Sequence, residues 1–210
     1  MSNLHTQFGD IDIYVFDQLL RERIVPGMRV LDVGCGDGRN LVYLLNAGYD
    51  VFGVDANPTA IDRVRRVASS LAPQLPAGNF RVESIEQMTF PDGFADVVLS
   101  SAVLHFARDD AEFSAMLRGT WRVLKPGGLL VCRLASSIGI EQRLRVLDGR
   151  RCLLPDGSER YLVDERLLMA LTEDMGGALL DPLKTTIVQN QRSMTTWVVR
   201  KLGGANATTC

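Results

Sequence analysis

Histidine and cysteine are scarce in this chain, and their scarcity restricts its chemistry. The 210 residues include two histidines, His5 and His105, a hundred positions apart, with no H-E-x-x-H or similar ligand set. A metal-activated water therefore has no evident scaffold, and no metal is expected. The four cysteines, Cys35, Cys132, Cys152 and Cys210, have no short paired spacing. This argues against a zinc site or a disulfide framework and for buried thiols. No apolar run approaches the roughly 18 residues of a membrane span, and Met1 to Asp10 is polar rather than a basic stretch leading into an apolar one. A cytoplasmic protein with no membrane partner is expected. Neither sign of charge dominates: 23 basic and 25 acidic residues leave a formal net charge of −2, which gives no electrostatic case for nucleic acid.

What remains is the composition of an ordinary globular domain, with 46% hydrophobic residues and enough length for one sizeable core. Its one bias is glycine, 19 of 210 residues, against a typical value of roughly 7%. Where those glycines fall gives the architecture. Leu4 to Arg23 spaces its apolar residues as one amphipathic helix beginning near Gly9 or Asp10. Met28 to Val33 reads as a strand running directly into Gly34, Gly36 and Gly38, followed by a helix over Arg39 to Ala47 and a second strand over Asp50 to Val54. Asn57 caps the next helix, with Pro58 in its first turn. Further strands are expected at Asn79 to Glu83, Ala95 to Ser100 and Leu129 to Leu134, and helices start after Asp109 and Asp164. Leu183 to Gln189 and Thr195 to Arg200 form an antiparallel pair across Asn190 to Met194.

The fold class is therefore α/β: a Rossmann-like, seven-stranded, mostly parallel sheet with flanking helices and a C-terminal antiparallel hairpin. Residues 1–24 form an N-terminal helix over the site, 25–202 a single domain, and 203–210 a flexible tail. The segment 136–160 interrupts the alternation with Arg143, Arg145, Arg150, Arg151 and Arg160. It reads either as a substrate lid or as a solvated insertion whose arginines pair locally.

The chemistry concentrates at the first loop, Asp32-Val33-Gly34-Cys35-Gly36-Asp37-Gly38-Arg39. Its glycines admit a ligand to the backbone. The dinucleotide fingerprint wants glycine where Arg39 stands, and the phosphate-binding loop wants a lysine that is absent. Asp32 and Asp37 would repel a pyrophosphate but stabilise a sulfonium or ammonium. Asp55, at the end of the second strand, is placed to accept both hydroxyls of a ribose, or else to cap the following helix.

With these residues go Phe90 to Asp96 before the fourth strand, Ser100-Ser101-Ala102-Val103-Leu104-His105 after it, and Leu124-Lys125-Pro126-Gly127-Gly128 before the fifth. Together they resemble a class I S-adenosylmethionine-dependent methyltransferase of the type 11-like group over about Val25 to Leu134. Cys35 to Val54 is locally similar to small bacterial tellurite-resistance methyltransferases. The resemblance implies S-adenosylmethionine as cofactor and its binding by Asp32, Gly34, Cys35, Gly36, Asp55, Ala56, Ser84, Ile85 and Ser101. Ser84 stands where the family commonly has an adenine-binding aspartate, and Glu83 or Glu86 are alternative carboxylates.

Methyl transfer is an in-line displacement in which the protein mainly aligns the nucleophile, here on a small-molecule acceptor. His105 is the candidate base, or a packed histidine supporting the cofactor pocket. Tyr14 is either a substrate contact or core. Arg133 breaks an apolar strand and must reach solvent, an acid or an anionic substrate. The other readings are a cofactor-binding assembly protein without catalysis and a nucleotide-dependent oxidoreductase. A monomer or homodimer suffices for any of them.

Overall fold

A computed structural model describes residues 4–203. Five parallel strands make its centre: β1 Arg29–Val33, β2 Asp50–Asp55, β3 Phe80–Val82, β4 Ala95–Ser101 and β5 Leu124–Ala135. The sheet continues past β5 with the antiparallel β11 Arg192–Lys201 and the edge strand β10 Lys184–Val188, in the order β10-β11-β5-β4-β1-β2-β3. The expected architecture is present, with one addition. The three-residue β9, Gly177–Leu179, pairs with β11 off this path.

Successive residues of the central strands point to opposite faces, and both faces are covered. Leu31, Val98 and Leu130 face one core with Phe113 and Leu168, from the helices α5 Asp110–Arg122 and α6 Glu165–Asp174. Val30, Val51 and Leu99 face the other with Leu44, Ile61 and Val64, from α3 Val42–Asn46 and α4 Pro58–Leu71. Asn57, Asp109 and Asp164 cap α4, α5 and α6 by accepting from Thr59 N, Glu112 N and Leu167 N, as their positions predict. Strand order reverses at β1, between β2 and β4, so a crevice opens at the carboxyl ends of β1 and β4.

Three local readings are corrected. The N-terminal segment forms two helices, α1 Leu4–Phe8 and α2 Ile13–Leu20. Gly9 at φ 60° ends the first, and Asp12 caps the second. The helix expected over 39–47 is confined to α3, because Gly38 is left-handed at φ 81° and the chain turns once more before Leu41. The C-terminal hairpin is tighter than expected. β11 begins at Arg192, and residues 189–191 make the turn with Gln189 and Asn190 at φ 48° and 55°, a backbone that matches strand twist.

Segment 136–160 is organised rather than loose. From Arg145 on it builds a separate three-stranded antiparallel sheet, β6 Arg145–Asp148, β7 Arg151–Leu153 and β8 Glu159–Tyr161. Two arginines pair locally, Arg150 with Asp164 at 2.9 Å and Arg151 with Glu159 at 2.7 Å. Arg160 instead lies 4.8 Å from the centre of the Phe106 ring. Apart from Gly203, the tail expected over 203–210, and with it Cys210, lies outside the described residues. Cys35, Cys132 and Cys152 are buried free thiols. Among the described residues no helix is long and apolar enough to cross a membrane, and no cluster of His, Cys, Asp or Glu is arranged to hold a metal.

Candidate active site

Beyond β1 the chain bends back over the end of β2. Gly34 N and Cys35 N both donate to Val54 O, at 2.8 and 2.9 Å. Gly34 has φ 72°, and a Cβ there would lie 2.5 Å from Val103 Cγ2, so the turn admits only glycine without rearrangement. Gly36 N donates to Asp55 Oδ2 at 2.9 Å and Asn57 N to Oδ1 at 2.8 Å. Asp55 is thus fixed in orientation while each oxygen keeps acceptor capacity. Asp32 lies beneath the loop, 1% exposed, and its Oδ2 has no partner among the described residues. Burial pushes its carboxyl up to about 7, against the pull of Arg39 and Asn40.

A cavity of about 400 Å³ opens beside this loop, and Gly34, Asp55, Ala56, Ser84 and Ile85 line it. Five of the nine expected cofactor residues are thereby brought to one wall. The other four do not line it. Asp32 is underneath, and Gly36 is engaged with Asp55. The Cys35 side chain turns toward Gly53, where a Cβ would come 3.0 Å from Sγ, and burial with the nearby acids drives its thiol far up. Ser101 accepts from Arg39 at 2.8 Å and donates to Asp12 at 3.2 Å.

The cavity is completed by Glu86, one of the two alternative carboxylates, and by Ala102, Val103, Phe106, Glu112 and Met116, none of which was assigned to the cofactor. Met116 had the spacing of a core residue in α5, and nothing in that spacing separates a cavity wall from core. Glu83 is engaged by Thr89, whose N and Oγ1 donate to it at 2.9 and 2.6 Å, so the carboxylate facing the cavity near Ser84 is Glu86. The Ser84 hydroxyl does not cap the turn that follows it. The lining holds three acids and no Lys or Arg.

A second cavity, about 350 Å³, shares Ala102 and Phe106 with the first. Ala102 sits at φ 65°, unusual for a residue with a Cβ, and its N donates to Arg133 O at 2.7 Å. His105 and Arg133 line this cavity, with Asp156 from the turn between β7 and β8, Arg160 from β8 and Arg192 from β11. The His105 ring is 5% exposed, and its Nδ1 accepts from Ala135 N at 3.1 Å. The ring is neutral, with its proton on Nε2, because burial pushes its pKa down to about 4, reinforced by the positive charges of Arg160 and Arg133. Asp156 is held below the usual carboxylate range by hydrogen bonds from Ser158 and by Arg192 and Arg160.

Tyr14 lines neither cavity. Its hydroxyl pairs with Thr186 Oγ1 at 2.9 Å and pins α2 to β10. The N-terminal residue that reaches the site is Asp12, which the sequence pattern did not single out. Its N donates to Asn40 Oδ1 at 3.0 Å, and its carboxylate accepts from Tyr14 N, Ser101 Oγ and Arg133 Nη1. It is 5% exposed and ties the entry to α2 to both β4 and β5.

Comparison with known proteins finds similarity over the segment that carries this geometry. Residues 31–132 match the family described as methyltransferase domain. An uncharacterized methyltransferase of Synechocystis sp. is 35% identical over 116 residues, which cover 54% of this chain and 51% of that protein. The chain thus spans about half the length of this relative. Among solved structures, a SAM-dependent methyltransferase from Methanosarcina mazei superposes with a TM-score of 0.72 at 23% identity, covering 88% of this chain and 97% of the other. The 1,6-didemethyltoxoflavin-N1-methyltransferase of Burkholderia thailandensis, solved with 1,6-didemethyltoxoflavin and S-adenosylhomocysteine, gives 0.70 at 18% identity over 96% and 82% of the two chains. Residues 31–132 are similar to methyltransferase domains, and the chain shares its fold with these solved SAM-dependent methyltransferases. The narrower resemblance to tellurite-resistance enzymes draws no support from these relatives.

Proposed function

We propose that this protein binds S-adenosylmethionine in the acidic cavity beside the first glycine loop and methylates a small molecule held in the adjoining arginine-lined cavity. The observation that carries the reading is the shared wall. The two cavities meet at Ala102 and Phe106, past the carboxyl end of β4 and next to the switch point of the sheet, where folds of this kind bind their ligands.

The residues present fit the cofactor. A lining with Asp55, Glu86 and Glu112 and no basic side chain suits hydroxyl and amine donors and a positive charge, and repels a pyrophosphate. Asp55 would hold the ribose, Ala56, Ser84, Ile85 and Glu86 the adenine, and the turn at Gly34 the methionine part, with Asp32 supporting the loop from beneath. When bound, the cofactor supplies a methyl group that its sulfonium already activates for in-line displacement.

The chain contributes alignment and a dry setting. His105 holds a hydrogen bond rather than accepting a proton. Its Nδ1 lone pair is occupied by Ala135 N and its Nε2 carries the proton, so neither nitrogen is free to act as base. Nε2–H is left to donate to an acceptor oxygen, and the nucleophile must arrive ionised or with a free lone pair. The acceptor is not inherited from the relatives, because only Ala102, His105 and Phe106 of its cavity fall within the matched segment.

Calorimetry with S-adenosylmethionine and S-adenosylhomocysteine tests the assignment. Both are expected to bind, and Asp55→Ala should weaken them about 10- to 100-fold, the loss of hydrogen bonds to a charged group worth roughly 1.5–3 kcal/mol. Incubation with a panel of small acceptors should release S-adenosylhomocysteine. Absence of binding by the wild-type protein, or unchanged affinity in a folded Asp55→Ala variant, contradicts the reading. Binding without turnover across the panel would favour a non-catalytic binding protein.

A further inference from the structure

Methyl transfer needs a positioned nucleophile, but it does not need cations near the acceptor, and positive charge beside a sulfonium is unfavourable unless something offsets it. The second cavity nevertheless draws a guanidinium from each of three elements: Arg133 from β5, Arg160 from β8 and Arg192 from β11. Their neutralisation is incomplete. Arg133 Nη1 lies 3.2 Å from Asp12, while its Nε is buried with no partner among the described residues. Arg192 lies 3.5 Å from Asp156, which Arg160 also faces. Arg160 donates to a backbone oxygen, Glu159 O, at 2.6 Å. His105 adds an Nε2–H. Between these donors the walls are apolar, formed by Phe106, Leu154 and Met194.

We propose that the methyl acceptor is an anion: a small molecule with an apolar body and a carboxylate or similar group, the anionic group held by Arg133 and Arg192 and the body seated against Phe106, Leu154 and Met194. Guanidinium groups suit this because their fork of donors matches a carboxylate and tolerates partial burial. The inference rests on the methyltransferase reading of the neighbouring cavity. One other carboxylate has the same chemistry, the methionine carboxylate of the cofactor itself, so the test keeps that site filled.

Protein saturated with S-adenosylhomocysteine is titrated by calorimetry with 4-hydroxybenzoate, cinnamate and 3-phenylpropionate, and with the carboxamide of each. The carboxylates should bind about tenfold or more tightly than their amides, as expected for charge-assisted contacts. Arg192→Gln, at a side chain 57% exposed and so safe for folding, should abolish most of that preference and leave S-adenosylhomocysteine affinity unchanged. Arg133→Gln should do the same, with its fold checked by thermal melting because the side chain anchors Asp12. Equal affinity for the paired compounds, no carboxylate binding, or a preference that survives Arg192→Gln overturns the inference. An Arg133→Gln variant that loses S-adenosylhomocysteine affinity but keeps the carboxylate preference assigns that arginine to the cofactor and overturns its acceptor role. If the wild-type protein fails to bind S-adenosylhomocysteine, the reading of the first cavity falls and this inference with it.

Discussion

On one side of Ala102 and Phe106 the cavity carries Asp55, Glu86 and Glu112 and no basic side chain; on the other it carries Arg133, Arg160 and Arg192 against Asp156. The two also differ in where the chain builds them. Every residue lining the acidic cavity lies within 31–132, the segment that matches the methyltransferase-domain family. Most of the basic cavity comes from β5 onward, through the small sheet and the C-terminal strands. On the proposed reading, the contrast teaches that a common cofactor platform and an individual acceptor site can share a wall and still be set by separate stretches of sequence. Acceptor chemistry then has to be read from the second stretch, not borrowed from relatives of the first.

The largest expected effect breaks the acidic side alone. Gly34→Ala forces a Cβ to 2.5 Å from Val103 Cγ2 at φ 72°. Left-handed backbone and overpacking together should cost about 2–4 kcal/mol. Thermal melting should show the loss, and S-adenosylhomocysteine affinity should fall by more than in Asp55→Ala. A variant as stable and as tight as wild type contradicts the packing described for the loop.

A second prediction separates the two sides by pH. On the basic side, His105 is lowered from 6.5 to about 4. Between those values the unfolded chain takes up a proton that the folded chain refuses, so stability is lost as pH falls from 6.5 toward 4, by on the order of 3 kcal/mol. On the acidic side, Asp32 is raised from 3.8 to about 7. There the folded chain keeps a proton the unfolded chain releases, so stability is lost as pH rises from 3.8 toward 7. His105→Gln should reduce the acid-side loss and Asp32→Asn the loss toward neutrality, measured by thermal melts at about pH 4.5 and 7.5. Wild-type pH slopes in both variants would show that neither group is buried as described.

The smallest effect sharpens the boundary. Tyr14→Phe removes the bond to Thr186 and should cost about 1 kcal/mol while leaving the affinity for S-adenosylhomocysteine and for carboxylates unchanged. A fall in either affinity would return Tyr14 to the site.

Much of the acidic side was legible in the sequence because its determinants are local. A strand running into Gly34 and Gly36, and an acid closing the next strand, specify a loop and a carboxylate from neighbours in the chain. The basic side is built from contacts between distant residues. Asp12 meets Asn40, Ser101 and Arg133, and no local pattern marks it. β6 is exposed along its length and β7 and β8 are three residues each, so the small sheet shows neither alternation nor an apolar run. His105 was readable as a titratable group after β4, but its tautomer depends on Ala135 N, thirty residues away. Arg133 stood out for a physical reason, a charge inside an apolar strand, and among the partners that reasoning allowed it reaches an acid, Asp12.

The most direct test of the central claim is a crystal structure of the protein with S-adenosylhomocysteine. The ribose is expected on Asp55, the adenine beside Ser84 and Ile85, and the sulfur facing the basic cavity across Ala102 and Phe106. An adenosyl group bound among Arg133, Arg160 and Arg192, or a sulfur directed away from that cavity, would contradict the assignment of the two sides.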